Sequence, residues 1–278
     1  MPEKKFTLNF TPTGMIPTKE MTPHVPVTPD EIIEDVLQTA NLGVNIVHLH
    51  ARDPVTGAPT YEKEIYDEII RGIRADNKDL ILCVSTSGRI HNSFEKRSEC
   101  LELDGESKPD FGSLTLSSLN FNKQASINEP DMIINLAQKM MDRGIRPELE
   151  VFDLGMINYA KYLIRKGLLV PPYYFNFILG NIACAQADIL HLGLMIKELP
   201  EKSIWSVGGV GNAQLQMNAL SLVAGGGVRI GLEDNIWYDT DRTILATNHD
   251  LVERIILIAR TLGCRPFTPE EARAILGL

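Results

Sequence analysis

Phe6-Thr7-Leu8-Asn9-Phe10-Thr11-Pro12-Thr13-Gly14-Met15-Ile16 is the stretch that decides the fold. Its first half predicts an opening strand over Phe6–Thr11. Its second half carries only Gly14, not the Gly-x-Gly-x-x-Gly fingerprint that a doubly wound, dinucleotide-binding sheet needs after its first strand. Outward from this segment, short apolar or β-branched runs alternate with longer amphipathic stretches. Further strands are expected at Ile46–Ala51, Leu80–Thr86, Ser113–Leu119, Glu148–Phe152, Tyr174–Leu179, Ile204–Gly208 and Gly227–Leu232. Helices are expected at Asp30–Ala40, Lys63–Arg74, Asp131–Arg143, Asn158–Lys166, Ala187–Glu198, Asn212–Ala224 and Thr243–Leu262. Eight such units are what close a TIM (β/α)8 barrel.

Two helix starts are sharply marked. Thr28-Pro29-Asp30-Glu31 and Thr268-Pro269-Glu270-Glu271 each offer a capping Thr, Pro at the first helical position and Glu two residues later. The second opens a short extra helix after the barrel. No Ser/Gly-rich or Pro-rich linker interrupts the chain, so residues 1–278 are read as one α/β domain.

Composition narrows the function. With 44% hydrophobic and 23% charged residues the chain has ample core. A net charge of -9 and a pI near 5.2 argue against a general nucleic-acid or anionic-membrane binder, which needs a positive surface field. The cysteines Cys83, Cys100, Cys184 and Cys264 form no Cys-x-x-Cys pair, which suits a reduced setting. Met1-Pro2-Glu3-Lys4-Lys5 lacks the long apolar region of a signal peptide, and a cytoplasmic location is expected.

In an α/β barrel the chemistry sits at the carboxyl ends of the strands, and reactive residues gather there in this sequence. Thr11 and Thr13 follow the first strand, His48 and His50 close the second, and Ser85-Thr86-Ser87-Gly88 closes the third. The fourth carries Ser113, Thr115, Ser117 and Ser118, the fifth Glu148, Glu150 and Asp153, and the eighth Arg229, Glu233 and Asp234. His48 and His50, one residue apart on a strand, face the same way. Strand eight of a closed barrel neighbours strand one, with strand two just beyond. Glu233 can therefore join the two histidines in an open, three-ligand metal site of the catalytic kind. Zinc is the first choice, with manganese, cobalt and iron also compatible. Taken alone, Glu233 fits a helix N-terminus equally well.

Arg229, within an apolar strand, calls for an acidic partner or an anionic substrate, and Asp234 is the nearest acid. An Asp held by Arg has a lowered pKa and makes a weak base unless substrate alters the contact. The Ser85–Gly88 run can offer hydroxyls and N–H groups to a carboxylate or phosphate. No nucleophilic serine is indicated, because no Gly-x-Ser-x-Gly elbow is present. Gly208-Gly209-Val210-Gly211 reads either as a phosphate loop or as a turn too tight for side chains. His24, His91, His191 and His249 are read as surface or structural residues.

These segments together resemble the β-keto acid cleavage enzyme family over nearly the full length. The resemblance rests on His48-Leu49-His50-Ala51-Arg52, Ser85-Thr86-Ser87-Gly88, Pro147-Glu148-Leu149-Glu150-Val151, Gly231-Leu232-Glu233-Asp234-Asn235-Ile236 and Thr268-Pro269-Glu270-Glu271-Ala272-Arg273. It implies a barrel with zinc on His48, His50 and Glu233, and a homotetramer. It also implies a reaction in which a β-keto acid condenses with acetyl-CoA and CoA then cleaves the adduct to acetoacetate and a new acyl-CoA. Asp234, assisted by Arg229, would be the base and Glu150 a supporting group. Ser85, Gly88 and Ser113, with Thr115 beside them, would hold substrate.

One position departs from the aminohexanoate-cleaving members, which carry a Glu just beyond the first-strand Thr-Gly. Here Thr13-Gly14-Met15-Ile16-Pro17-Thr18 places Ile16 there, which points to a substrate with a non-cationic tail. The competing enzyme reading is a metal-dependent aldolase or hydrolase acting on a small carboxylate. CoA contacts leave no motif, since scattered Lys or Arg residues can hold its phosphates.

Overall fold

A computed structural model describes residues 4–278, and among them eight parallel strands close a barrel. In chain order these are β1 (Leu8–Phe10), β2 (Ile46–Leu49), β3 (Ile81–Val84), β4 (Phe111–Thr115), β5 (Arg146–Val151), β6 (Tyr173–Leu179), β7 (Ser203–Gly209) and β8 (Gly227–Ile230). β8 pairs with β1 to close the ring, with Arg229 level with Asn9. The helices are α1 (Pro29–Ala40), α2 (Lys63–Asp76), α3 (Phe94–Ser98), α4 (Pro130–Arg143), α5 (Leu154–Arg165), α6 (Ile189–Glu198), α7 (Ala213–Ala224), α8 (Asn248–Thr261) and α9 (Pro269–Leu276). Met1-Pro2-Glu3, part of the segment read for targeting, lies outside the described residues.

The sequence-based strands are right in number and place, and their ends differ for physical reasons. The expected first strand is two pieces: Lys4–Phe6 pairs with Cys264–Pro266 outside the barrel, and only Leu8–Phe10 enters it. The fourth begins at Phe111, two residues early, and stops at Thr115. The helix expected from Thr243 starts at Asn248, because Thr247 and Asp250 form its capping box. Asp153, grouped above with reactive residues, caps α5 by accepting from Met156 N at 3.2 Å. Both sharply marked helix starts carry the capping boxes that their sequences imply.

The main core lies between the outer faces of the strands and the helices, with side chains such as Leu8, Ile32, Val47, Ile70 and Ile255 fully buried. A second cluster closes the N-terminal end of the barrel, where Ala272 and Leu276 of α9 pack on Ile46, Ile81, Cys83, Phe111 and Tyr174. The interior above that plug is polar. Thr7, Ser206, Tyr174 and Asn9 join hydroxyl to amide at 2.8, 2.9 and 3.1 Å, and Asn9 reaches Glu148 at 3.0 Å. Among the described residues no helix is long and apolar enough to cross a membrane.

Candidate functional site

Above this polar string, at the C-terminal mouth, His48 is the last inward residue of β2 and His50 lies just past the strand end. Their Nε2 atoms are 3.3 Å apart. Glu233 Oε1 stands 3.4 Å from His50 Nε2. Glu233 is not at a helix N-terminus but in a turn after β8. Its side chain fits because Gly14 takes a positive φ of 63° and has no Cβ, which would sit 2.5 Å from Glu233 Cγ. Arg52 fastens the Gly14 loop by donating to Gly14 O, Pro17 O and Gly57 O at 2.9 to 3.0 Å.

Arg229 sits beneath, its guanidinium fully buried. Its Nε donates to Asp234 Oδ2 and its Nη2 to Glu233 Oε1, each at 2.8 Å. Its Nη1 has no hydrogen-bond partner and stands 3.8 and 3.9 Å from Glu148 and Glu150. Gly208 gives this side chain its lane, since a Cβ there would meet Arg229 methylenes at 3.1 Å. Gly209 similarly lets the start of α7 approach. Of the two readings for the Gly208–Gly211 run, close packing accounts for these glycines.

Glu148 is the acid that sequence reasoning did not single out. It is wholly buried, accepts from Asn9 and Asn176 at 3.0 Å each, and meets His48 Nδ1 at 2.9 Å. Its signal was the same period-two spacing that marks His48 and His50, because Glu148 and Glu150 alternate on β5. Glu150 instead accepts from Thr115 Oγ1 at 2.6 Å. Ser113 Oγ accepts from Thr86 N at 3.1 Å, so this hydroxyl tethers the β3 loop. Ser85 lies nearly buried on that loop, its Oγ accepting from Ser87 N at 3.3 Å. Gly88 lies against the Arg97 guanidinium. Beside His50 is a small cavity lined by Met15, Tyr61, Ser85 and His91, whereas Ile16 is half exposed.

The titration behaviour follows from crowding. Burial opposes charge on His48, yet Glu148 and Glu233 outweigh it and raise its pKa to about 9. Burial lowers that of His50. Burial opposes charge on Glu148 as well, but His48 and Arg229 hold it down at about 2. Asp234 is raised, by burial first and by the charge of Glu233, with Arg229 pulling the other way. This corrects the expectation of a lowered Asp234: desolvation exceeds the salt bridge, which leaves the better base.

The donor set suits a metal cation. His48, His50 and Glu233 each offer an atom, all within 4.8 Å of one another. Glu233 Oε2 is buried and lacks any partner, a costly arrangement that a cation relieves. Glu148 accepts the hydrogen bond from His48 Nδ1, so Nε2 is the atom turned toward a cation, which would displace the proton that the neighbouring carboxylates favour there. Four carboxylates, Glu148, Glu150, Glu233 and Asp234, surround Arg229, so a divalent ion reduces the local charge imbalance.

Comparison with known proteins finds relatives along nearly the whole chain. A 3-keto-5-aminohexanoate cleavage enzyme of Fusobacterium nucleatum is 39% identical over 263 residues, covering 94% of this chain and 93% of that protein. A 3-oxoadipate:acetyl-CoA acetyltransferase of Cupriavidus necator is 33% identical, covering 96% and 92%. Among solved structures, apo ObcA superposes with a TM-score of 0.82 at 21% identity, over 92% of this chain and 66% of ObcA, a likeness of fold. The profile of the beta-keto acid cleavage enzymes matches residues 5–278, and the chain belongs to that family.

Proposed function

We propose that the protein is a metal-dependent acyltransferase that condenses a β-keto acid with acetyl-CoA and releases acetoacetate and a new acyl-CoA. The observation that carries this reading is the meeting of His48, His50 and Glu233 with an Arg229-held Asp234 at the ends of β2 and β8, on either side of β1. Relatives across the family are named for acetyl-CoA-dependent conversion of β-keto acids. His48, His50 and Glu233 would hold the metal, with zinc the best fit to two imidazoles and one carboxylate. When bound, such an ion supplies Lewis acidity toward carbonyl oxygens.

The remaining work falls to side chains. Asp234 takes a proton from the carbon between the two carbonyls of the β-keto acid, and Arg229 keeps its carboxylate aimed. The resulting carbanion attacks the acetyl carbonyl and expels CoA thiolate. That thiolate attacks the original keto carbon, the original carbon–carbon bond breaks to give the new acyl-CoA, and the acetoacetate carbanion takes back the proton held by Asp234. Glu150, fixed by Thr115, stands near His48 Nε2 at 4.0 Å and orders the polar side of the site. Ser85 and Gly88 present the β3 loop to substrate, with Ser113 and Thr115 fixing its surroundings. Because the Asp234 pKa is raised, the basic form is lost as pH falls through it, and the rate falls with it. No carboxylate replaces Ile16 or Met15 at the mouth, which supports a substrate with a non-cationic tail.

The test is to incubate zinc-loaded protein with a panel of β-keto acids and acetyl-CoA and to look for acetoacetate by mass spectrometry. Acetoacetate formed only with acetyl-CoA present supports the reading, and turnover independent of acetyl-CoA overturns it. Asp234→Asn is expected to lower kcat about 1,000-fold, within the range for loss of a general base. An Asp234→Asn protein with full activity removes the assigned base.

A further inference from the structure

The loop after β3 continues past Gly88 into Arg89, whose guanidinium carbon lies 3.5 Å from the centre of the Phe121 ring. Phe121 belongs to the hairpin that comes after β4, formed by Leu119–Asn120 and Ala125–Ser126. Its ring stands edge-on to Phe152, at the end of β5, with centroids 5.8 Å apart. A stack therefore runs from the end of β5 through the hairpin to the β3 loop, and Arg89 is its outermost member.

The stack is held rigidly. Arg97, buried, donates to Thr86 O at 2.8 Å on one side and to Ile127 O and Asn128 Oδ1 at 3.1 and 2.8 Å on the other. It thereby ties the β3 loop to the hairpin. Asn181 ties the hairpin to the loop after β6 by donating to Asn120 O at 2.9 Å. The guanidinium of Arg89 is thus preorganised, and it makes no hydrogen bond or ion pair with any described residue. That separates it from Arg52, Arg97 and Arg229, whose N–H groups are engaged. It is partly buried, and it feels the charges of Glu233, Glu150 and Asp234, which places it on the reaction side of the barrel.

A partly buried guanidinium with free donors is suited to an external acceptor. Both co-substrates of the reaction proposed above, on which this inference rests, are anions that must approach a site crowded with carboxylates. We propose that Arg89, stacked on Phe121, is the receptor for an anionic oxygen group on an incoming co-substrate, either a phosphate of acetyl-CoA or a carboxylate at the far end of the β-keto acid. The planar fork matches either group in two-point contact, and stacking on the ring keeps the fork oriented.

Binding measured without turnover tests this independently of the reaction. Coenzyme A, glutarate and butyrate are titrated by calorimetry into wild type, Arg89→Ala, Arg89→Lys and Phe121→Leu proteins. If the group is a phosphate, Arg89→Ala weakens coenzyme A about 10- to 100-fold and leaves the glutarate-to-butyrate ratio unchanged. If it is a tail carboxylate, glutarate weakens by that factor, while butyrate and coenzyme A do not. Arg89→Lys and Phe121→Leu give smaller losses of the same ligand, and they carry the test if Arg89→Ala does not fold. Affinities within twofold of wild type for all three ligands overturn the proposal, as does wild-type protein that binds neither coenzyme A nor glutarate. A protein that makes no acetoacetate yet loses affinity in Arg89→Ala keeps this receptor and drops the reaction.

Discussion

At the N-terminal end of the barrel both oxygens of Asp110 are occupied. Oδ2 accepts from Leu82 N, Arg74 and Arg273 at 2.9, 3.2 and 3.0 Å, and Oδ1 accepts from Arg273 at 2.9 Å. At the C-terminal end an equally dense group of charges is left incomplete: Arg229 Nη1, Glu233 Oε2, Thr11 Oγ1 and Thr13 Oγ1 are buried without partners. The Asp110 group is partly buried and the Arg229 group more deeply so, yet it is the deeper group that is left unsatisfied. A saturated cluster holds the fold together. Unsatisfied donors and acceptors converging on one space are kept for something that is not part of the chain.

The largest expected stability effect tests the saturated end. Asp110→Ala removes the acceptor shared by Arg74, Arg273 and the Leu82 N–H, and leaves two guanidinium groups facing each other. The loss is expected to be about 3 kcal/mol, as for breaking a partly buried pair from one side. For a chain of this size that lowers Tm by roughly 5 °C. At temperatures where the variant stays folded, kcat and both KM values should match wild type. A tenfold fall in kcat with an unchanged Tm would erase the distinction between the two ends.

The same contrast explains what could be read from the sequence. His48, His50 and Glu233 were legible because strand period and barrel closure are properties of sequence order, and both hold when the strand ends shift by a residue or two. Glu148 was not separable from Glu150, since alternation puts both on the inner face of β5 and only the ring position of His48 chooses between them. Arg89 and Phe121 left no trace, because their meeting depends on Arg97 bonding two loops that are distant in sequence. Asp110 was equally silent. The helix that brings Arg273 to it was expected from its capping box, but no pattern said that it plugs the barrel.

Glu148 sharpens the comparison because it belongs to neither end wholly: its partners are saturated, yet it acts on a residue of the open site. Glu148→Gln keeps the oxygen shared by His48 Nδ1 and Asn176 but replaces Oε2, the oxygen that accepts from Asn9, with an amide nitrogen. If Glu148 orients His48 for a metal, zinc affinity measured by competition with a chromophoric chelator should fall about 10- to 100-fold. Stability should fall as well, through the lost bond to an Asn. A fall in Tm with zinc affinity within threefold of wild type would move Glu148 to the structural class of Asp110.

The smallest effect lies at the side of the barrel, where Asp35 of α1 accepts from Asn248 of α8 at 2.6 Å. Asn248 also donates to Pro12 O and accepts from Leu232 N, so it braces the loop leading to Glu233. Burial raises the Asp35 pKa from 3.8 to about 6, although the bond from Asn248 opposes the shift. An acid whose folded pKa lies above its unfolded value contributes stability below the unfolded pKa. That contribution is lost as pH rises through the folded pKa, here between roughly pH 4 and 6. The shift corresponds to about 3 kcal/mol. Asp35→Asn removes this dependence but exchanges a charge-assisted bond for a neutral one, leaving a net gain of about 1 kcal/mol above pH 7. Thermal melts at pH 4 and pH 8 measure the difference directly. The variant should melt a few degrees higher than wild type at pH 8, with no advantage at pH 4. A gain of the same size at both pH values would show that the change acts through packing of α1 on α8, not through the charge.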